Sequence, residues 1–483
     1  MPGDSRRGLM LGRTRRVHFV GVGGIGMSGI AELLANLGYE VSGSDVKGSD
    51  VTARLQERFN VRVLEGHAAG NVGEADVVVV SSAVRRSNPE IVEAERRGIP
   101  VIPRAEMLAE LMRLHFAIAV AGSHGKTTTT SMIALVLERA GLDPTAVIGG
   151  RLKVFGSNAR LGDSEYMVAE ADESDRSFLM LWPSIAVVTN IDREHMESYR
   201  SLNELQQAFA DFANKVPFYG SVVACADDAN LMAVVPRLKR RVVTYGLDDP
   251  AATVVGRDIE VGVFGGRCSV HRQSASATEP MGRLELSVPG RHNLQNALAA
   301  VAVGDCLGLA FSDVAGALRD FAGAERRFER HGEADGVLLV DDYGHHPTEI
   351  AAVLAAARSA LNRRLIVAFQ PHRYSRTAQL FEEFGPALKD ADEIVLTDIY
   401  AASEEPIPGI TLETFAEAVR RGSGRPVHAV RSLDEVIPRV MELARTGDAV
   451  ITLGAGSIGT LPRKLMDALK RREAGLKGLE TGR

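Results

Sequence analysis

The stretch GSHGKTTTT, Gly122–Thr130, ends in the Gly-Lys-Thr of a phosphate-binding loop but is shorter than the usual one. The standard pattern is G-x-x-x-x-G-K-[ST]; here only Ser123 and His124 separate Gly122 from Gly125. The flanks give it context. FAIAVAG, Phe116–Gly122, is an apolar run of strand length. TTTTSMIALVLER, Thr127–Arg139, reads as a helix despite its four threonines, which lose χ1 freedom in helices. Threonines at a helix start are tolerable when a ligand occupies their hydroxyls and N–H groups. Strand, loop and helix predict a nucleoside triphosphate site built on Gly122, Ser123, His124, Gly125, Lys126, Thr127 and Thr128. Lys126 would be a point charge for the β- and γ-phosphates, and Thr127 an oxygen ligand for Mg²⁺.

In an open parallel sheet the ligand crevice lies beyond the carboxyl ends of the strands. Strand YMVAEAD brings Glu170 and Asp172 to that edge, and strand SIAVVTNID brings Asn190, Asp192 and, just beyond, His195. A carboxylate and a threonine hydroxyl beside phosphate oxygens suit a hard cation. Imidazole prefers softer metals, so the sequence leaves open whether His195 binds a second metal, acts through water or holds a phosphate. Taken singly, each carboxylate of EADESD reads as part of a solvated turn. The cluster opposite Lys126 does not.

A second glycine loop lies upstream. GVGGIG, Gly21–Gly26, follows a strand and opens a helix, and Asp45 ends the next strand about 20 residues on. This context predicts a diphosphate ligand on Gly23, Gly24, Ile25 and Gly26, without saying which nucleotide. His67, Ser81 and Ser82 fall where they could line the same edge. Near the C-terminus, DDYGHHPTE, QPHRYSR and GAGSIG end three further strands and suggest a clasp for a small anion.

The fold class read from this strand–helix alternation is α/β, three domains on mainly parallel sheets: residues 1–113, 114–331 and 332–470, with a loose tail at 471–483. Antiparallel hairpin material is expected at 254–288. A length of 483 residues requires several cores, and the 45% hydrophobic, 24% charged composition is that of a soluble protein. A net charge of −6 gives no footprint for nucleic acid. No apolar run reaches membrane-span length. Three dispersed cysteines fit a reducing, cytoplasmic setting and read as buried small residues.

Together GSHGKTTTT, EADESD, NIDREHM, GRHNLQNALAA, RRFERHG, DDYGHHPTEI and QPHRYSRT resemble the Mur ligases, from about Val17 to Pro462. The resemblance implies an ATP-dependent ligase of peptidoglycan precursor synthesis with three domains. It implies that GVGGIG, with Asp45, His67, Ser81 and Ser82, holds the UDP of UDP-N-acetylmuramate, and that the short loop holds ATP. Lys126, Glu170 and His195 look catalytic, and Thr127, Glu170 and His195 look like the ligands of Mg²⁺, or of Mn²⁺ in its place. Asn293 and Asn296 match the adenine-side asparagines, and Arg327 and Asp342 the ATP residues near the domain hinge. Tyr343, His372, Arg373 and Arg376 fall where L-alanine and the muramoyl end are held. A closure of the third block over the second is also implied. Ser123 and Glu194 depart mildly from the family pattern, with threonine and aspartate usual there. No lysine stands in NIDREHMESYRSLNELQQAF, so a modified-lysine metal bridge is not available there. Two alternatives stay open: a related ligase that adds a preformed peptide, and a nicotinamide-dependent oxidoreductase built on GVGGIG.

Overall fold

The computed structural model describes residues 11–480 except 82, 153–156, 197, 263–264, 275–276 and 403. Its strands form three sheets. The first is wholly parallel, in the order β3-β2-β1-β4-β5. Its members are β1 (Arg16–Val20), β2 (Glu40–Asp45), β3 (Arg62–Glu65), β4 (Val77–Val80) and β5 (Val101–Pro103). The strand order reverses between β1 and β4, and the glycine loop follows β1. That is where a doubly wound sheet binds ligands.

The second sheet is built from β6 (Phe116–Ala121), β7 (Thr145–Leu152), β8 (Ser157–Arg160), β9 (Tyr166–Glu170), β10 (Ile185–Val188), β11 (Ser221–Cys225), β12 (Arg241–Gly246), β13 (Val254–Gly262), β14 (Gly265–Gln273) and β15 (Thr278–Leu286). Its order is β15-β14-β13-β12-β11-β10-β6-β9-β7-β8. β6 runs parallel to both β9 and β10, with Val120 beside Glu170 and Ala121 beside Val188. The carboxyl ends of these three strands therefore open together. The helix that follows the loop, Lys126–Arg139, is buried from Thr128 to Leu137, on every face. Burial all round is the mark of a core helix, and it offsets the poor propensity of the threonines.

The third sheet holds β16 (Glu329–Ala334), β17 (Val337–Asp342), β18 (Leu365–Phe369), β19 (Glu393–Leu396), β20 (Val427–Ala429) and β21 (Ala449–Leu453), in the order β16-β17-β21-β18-β19-β20. Only β16 is antiparallel to its neighbour. Alternate residues of β17 face different cores: Leu338 and Val340 join one apolar cluster, Val337 and Leu339 the other. Both faces are covered, which accounts for the unbroken apolar run VLLV.

By compactness the chain divides into two units. One comprises Met1–Asp258, Cys268–Leu284 and Gln295–Phe321; the other comprises Ile259–Arg267, Glu285–Leu294 and Ala322–Arg483. Cys225 and Cys268 are buried as expected, whereas Cys306 is partly exposed. The single tryptophan, Trp182, belongs to the first unit. It is 53% exposed, with Lys215 Nζ 4.7 Å above its ring. Among the described residues no helix is long and apolar enough to cross a membrane.

Candidate active site

The short loop is held by the segment after β10. Thr189 Oγ1 donates to His124 O at 2.6 Å, and Asn190 Nδ2 donates to the same carbonyl at 3.1 Å. Asn190 Oδ1 accepts from His124 N at 2.8 Å, Ser123 Oγ accepts from Asp192 N at 2.8 Å, and His124 Nε2 lies 2.9 Å from Asp192 Oδ2. Two glycines are obligatory here. Gly122 has φ +135°, and a Cβ would collide with Thr189 Oγ1. Gly125 has φ +80°, and a Cβ would stand 2.7 Å from Asn296 Oδ1. Asn296 is thereby placed against the loop.

Lys126 points back over the loop and donates to Gly122 O at 2.6 Å, Ser123 O at 3.2 Å and Glu173 Oε1 at 2.8 Å. Burial works against its charge, but Glu173, Asp172, Glu170 and Glu194 outweigh this and hold the ammonium well above the usual lysine range. Thr127 Oγ1 donates to Glu170 Oε2 at 3.0 Å. Hydroxyl and carboxylate thus meet where a hard cation would take both oxygens, and this donor set fits Mg²⁺. His195, at φ +59°, sits with its Nε2 3.7 Å from Glu173 Oε1 and 3.8 Å from Glu194 Oε1. Glu173, Glu194 and His195 each bring a ligand atom within 4.8 Å of the others. Glu173 and Glu194 thus stand beside His195. Thr128 is buried on the helix.

In the first sheet, the helix Ile25–Asn36 starts from Gly24 with no side-chain cap, which leaves its first N–H groups for a ligand. Asp45 Oδ2 accepts from Gly23 N at 2.7 Å and so shapes the loop. A Cβ on Gly26 would stand 2.6 Å from Arg104 Nη1, so this arginine crosses the helix start; it also lies 3.7 Å from Asp172. His67 is oriented by a buried carboxylate. Glu90 accepts from Ser44 Oγ at 2.6 Å, Asn71 Nδ2 at 2.8 Å and Ala68 N at 3.2 Å. It also lies 3.0 Å from His18 Nε2 and 3.3 Å from His67 Nδ1. Burial would raise the Glu90 carboxyl, but the contacts from His18, Ser44 and Asn71 prevail and hold it down at about 2. Ser81 lies beside Gly21, whereas Ser82 lies outside the described residues.

The second unit gathers the remaining predicted residues. Burial pushes the Asp342 carboxyl up to about 6, against the pull of Arg327 and two N–H donors. Those donors are Phe328 N and Gly344 N, each at 2.7 Å. Arg327 lies over Tyr343, 5.3 Å from its ring centroid. Tyr343, His345, His372 and Tyr400 form a succession of ring contacts at 5.5, 5.7 and 5.5 Å. Arg376 Nη1 lies 3.1 Å from His372 Nδ1, and Arg373 adopts φ +71°. Burial, then the charges of His345, Arg376 and Arg373, push His372 down to about 3, so it is neutral. Asn293 donates to Pro289 O at 2.7 Å. His346 caps the helix Pro347–Ala360, whereas His345 joins the ring succession. A cavity of about 670 Å³ is lined by Tyr374, Asp398, Ile407, Thr411 and Arg431.

Three family models cover nearly the whole folded chain: Mur ligase family, catalytic domain, over residues 16–116; Mur ligase middle domain over 120–304; and Mur ligase, glutamate ligase domain over 326–456. A UDP-N-acetylmuramate–L-alanine ligase of Geobacter sp. (strain M21) is 51% identical over 95% of this chain and 99% of its own. The chain belongs to the Mur ligase family. A Myxococcus xanthus enzyme of the same name is 53% identical over 94% of this chain and 95% of its own. Among solved structures, a UDP-N-acetylmuramate–alanine ligase of Thermotoga maritima matches at TM-score 0.80 and 29% identity, over 95% of this chain and 99% of its own. A murein peptide ligase of Psychrobacter arcticus matches at TM-score 0.72 and 26% identity, over 94% and 99%.

Membership of the Mur ligases overturns the oxidoreductase alternative. The GVGGIG pattern is shared by folds that bind different nucleotides, so it could not decide between them. Three residues of this Mur ligase that sequence reasoning did not single out touch predicted site residues or their neighbours: Glu90, Arg104 and Glu173. Glu90 and Arg104 lie in no motif. Glu173 sits inside EADESD, where Glu170 and Asp172 drew attention because they end a strand.

Proposed function

We propose that this Mur ligase joins L-alanine to the lactyl carboxylate of UDP-N-acetylmuramate at the expense of ATP, a first peptide step in peptidoglycan precursor synthesis. The observation that carries this is identity of about one half, over nearly the full chain, to relatives that bear that name. The lactyl carboxylate attacks the γ-phosphorus, giving an acyl phosphate and ADP. The amine of L-alanine then attacks the acyl carbon, and phosphate leaves after a tetrahedral intermediate, with the amine's proton passing to solvent or base.

Within this reading residues 1–113 carry the sugar nucleotide, 114–331 the ATP, and 332–470 complete the amino-acid and nucleotide contacts. Gly23, Gly24, Ile25 and Gly26 receive the diphosphate at the helix start, and Asp45, His67, Ser81 and Ser82 contribute to holding the sugar nucleotide. The loop N–H groups and Lys126 cradle the triphosphate; Asn293, Asn296, Arg327 and Asp342 complete the ATP site. Thr127 and Glu170, with His195, would hold Mg²⁺ or Mn²⁺, which would offset the repulsion between carboxylate and triphosphate. Tyr343, His372, Arg373 and Arg376 hold the amino acid and the muramoyl end; their two guanidinium groups suit carboxylates. The enzyme works in the cytoplasm.

The test is phosphate release from ATP with purified protein. The reading requires that release depend on both UDP-N-acetylmuramate and L-alanine. Turnover with a tripeptide and none with alanine would assign the chain to the peptide-adding ligases instead.

A further inference from the structure

Glu173 stands three residues past the predicted cation ligand Glu170, on the loop that follows β9. Its side chain is 1% exposed, and Oε1 holds Lys126 Nζ at 2.8 Å. The other oxygen, Oε2, is buried and has no hydrogen-bond partner among the described residues. The segment is pinned by its backbone: Tyr199 Oη donates to Glu173 O at 2.6 Å, and Ser198 Oγ to Ser174 O at 2.5 Å. With two backbone carbonyls as the other acceptors, all three protons of the Lys126 ammonium are taken. A buried carboxylate with one idle oxygen is a poor device for stability, because the unpaired oxygen keeps its desolvation cost. It is a good device for holding a cation in one place.

We propose that Glu173 is the positioning residue of Lys126, a resident counter-anion that fixes the ammonium over the loop and competes with the terminal phosphate of ATP for it. The proposal rests on the reading of the short loop as the ATP site. Two effects of opposite sign follow. Neutralising Glu173 removes the competitor, so a triphosphate binds more tightly. It also frees the lysine to wander from the place where transition-state charge develops, so turnover falls. A residue with only a structural role would weaken both.

The experiment uses the full chain carrying Glu173→Gln, which keeps the shape and loses the charge. Equilibrium binding of a non-hydrolysable ATP analogue with Mg²⁺ is measured beside steady-state phosphate release with all three substrates. The expected result is binding ~10-fold tighter and kcat ~10-fold lower, the scale of one charge-assisted hydrogen bond. The KM values for UDP-N-acetylmuramate and L-alanine should stay unchanged. Glu173→Asp, which keeps the charge but withdraws it by one methylene, should shift both quantities the same way by less; it carries the test if the Gln variant does not fold. In a Lys126→Ala background the Gln substitution should leave analogue binding unaltered. Unchanged or weaker binding in Glu173→Gln, or an unchanged kcat, overturns the proposal. Failure of the wild-type protein to bind the analogue overturns the ATP reading instead.

Discussion

At the scale of single residues, charge placement decides function. Lys126 is held charged in a buried setting, and in the proposed reaction it faces the γ-phosphate. Lys126→Ala should therefore lower turnover by at least ~10²-fold, the scale of losing one preorganised charge contact. Phosphate release at saturating substrates checks it; near-normal turnover would remove Lys126 from the chemistry. Glu90 has the same importance for stability. Because its carboxyl is held at about 2, below the ordinary 4.5, the stability it contributes is present above pH 4.5 and lost as pH falls towards 2. Glu90→Gln should cost about 1–3 kcal/mol at pH 7 by leaving buried donors mismatched. Its urea midpoint should also fall less than that of the wild type between pH 7 and pH 3. The strand, glycine loop and helix of the proposed phosphate site were legible because glycine, lysine and threonine at fixed spacing have few other uses. Glu90 and Arg104 were not, since a lone acid or base acquires meaning only when distant strands bring donors to it.

Elements position these residues through register. β6, β9 and β10 run side by side, so the loop, Glu170 and the Thr189–Asp192 segment emerge at one level. Gly122 is where the loop leaves β6 with a backbone only glycine adopts freely, and a methyl there meets Thr189. Gly122→Ala should destabilise the protein by about 1–3 kcal/mol and abolish ATP-analogue binding, as read by chemical denaturation and calorimetry. Inserting one residue in β9 should be worse, because a one-residue slip turns Glu170 to the other face of the sheet. Apolar runs of strand length also announced β6, β9, β10, β17, β18 and β21. They did not announce β16, because RRFERHG is polar. That edge strand forms by pairing with β17, an interaction between segments that local patterning does not carry.

At the scale of the whole molecule, the chain was legible as three α/β blocks, while its division into two compact units was not. Compactness depends on which segments share contacts, and no composition shift marks how residues 259–294 are apportioned. Proteins of several cohesive parts need not unfold in one step. A ligand that binds one part stabilises that part by mass action, by about 2.7 kcal/mol at a hundredfold excess over its dissociation constant. Trp182 makes this measurable. As the only indole in 483 residues, seated in the first unit beneath the Lys215 ammonium, it is a built-in optical label for one part of the protein and blind to the other. A melt followed by its fluorescence should move upward with ATP analogue and Mg²⁺, while circular dichroism, which sees every helix, should broaden or split. Two coincident curves that shift together would mean that the units melt as one.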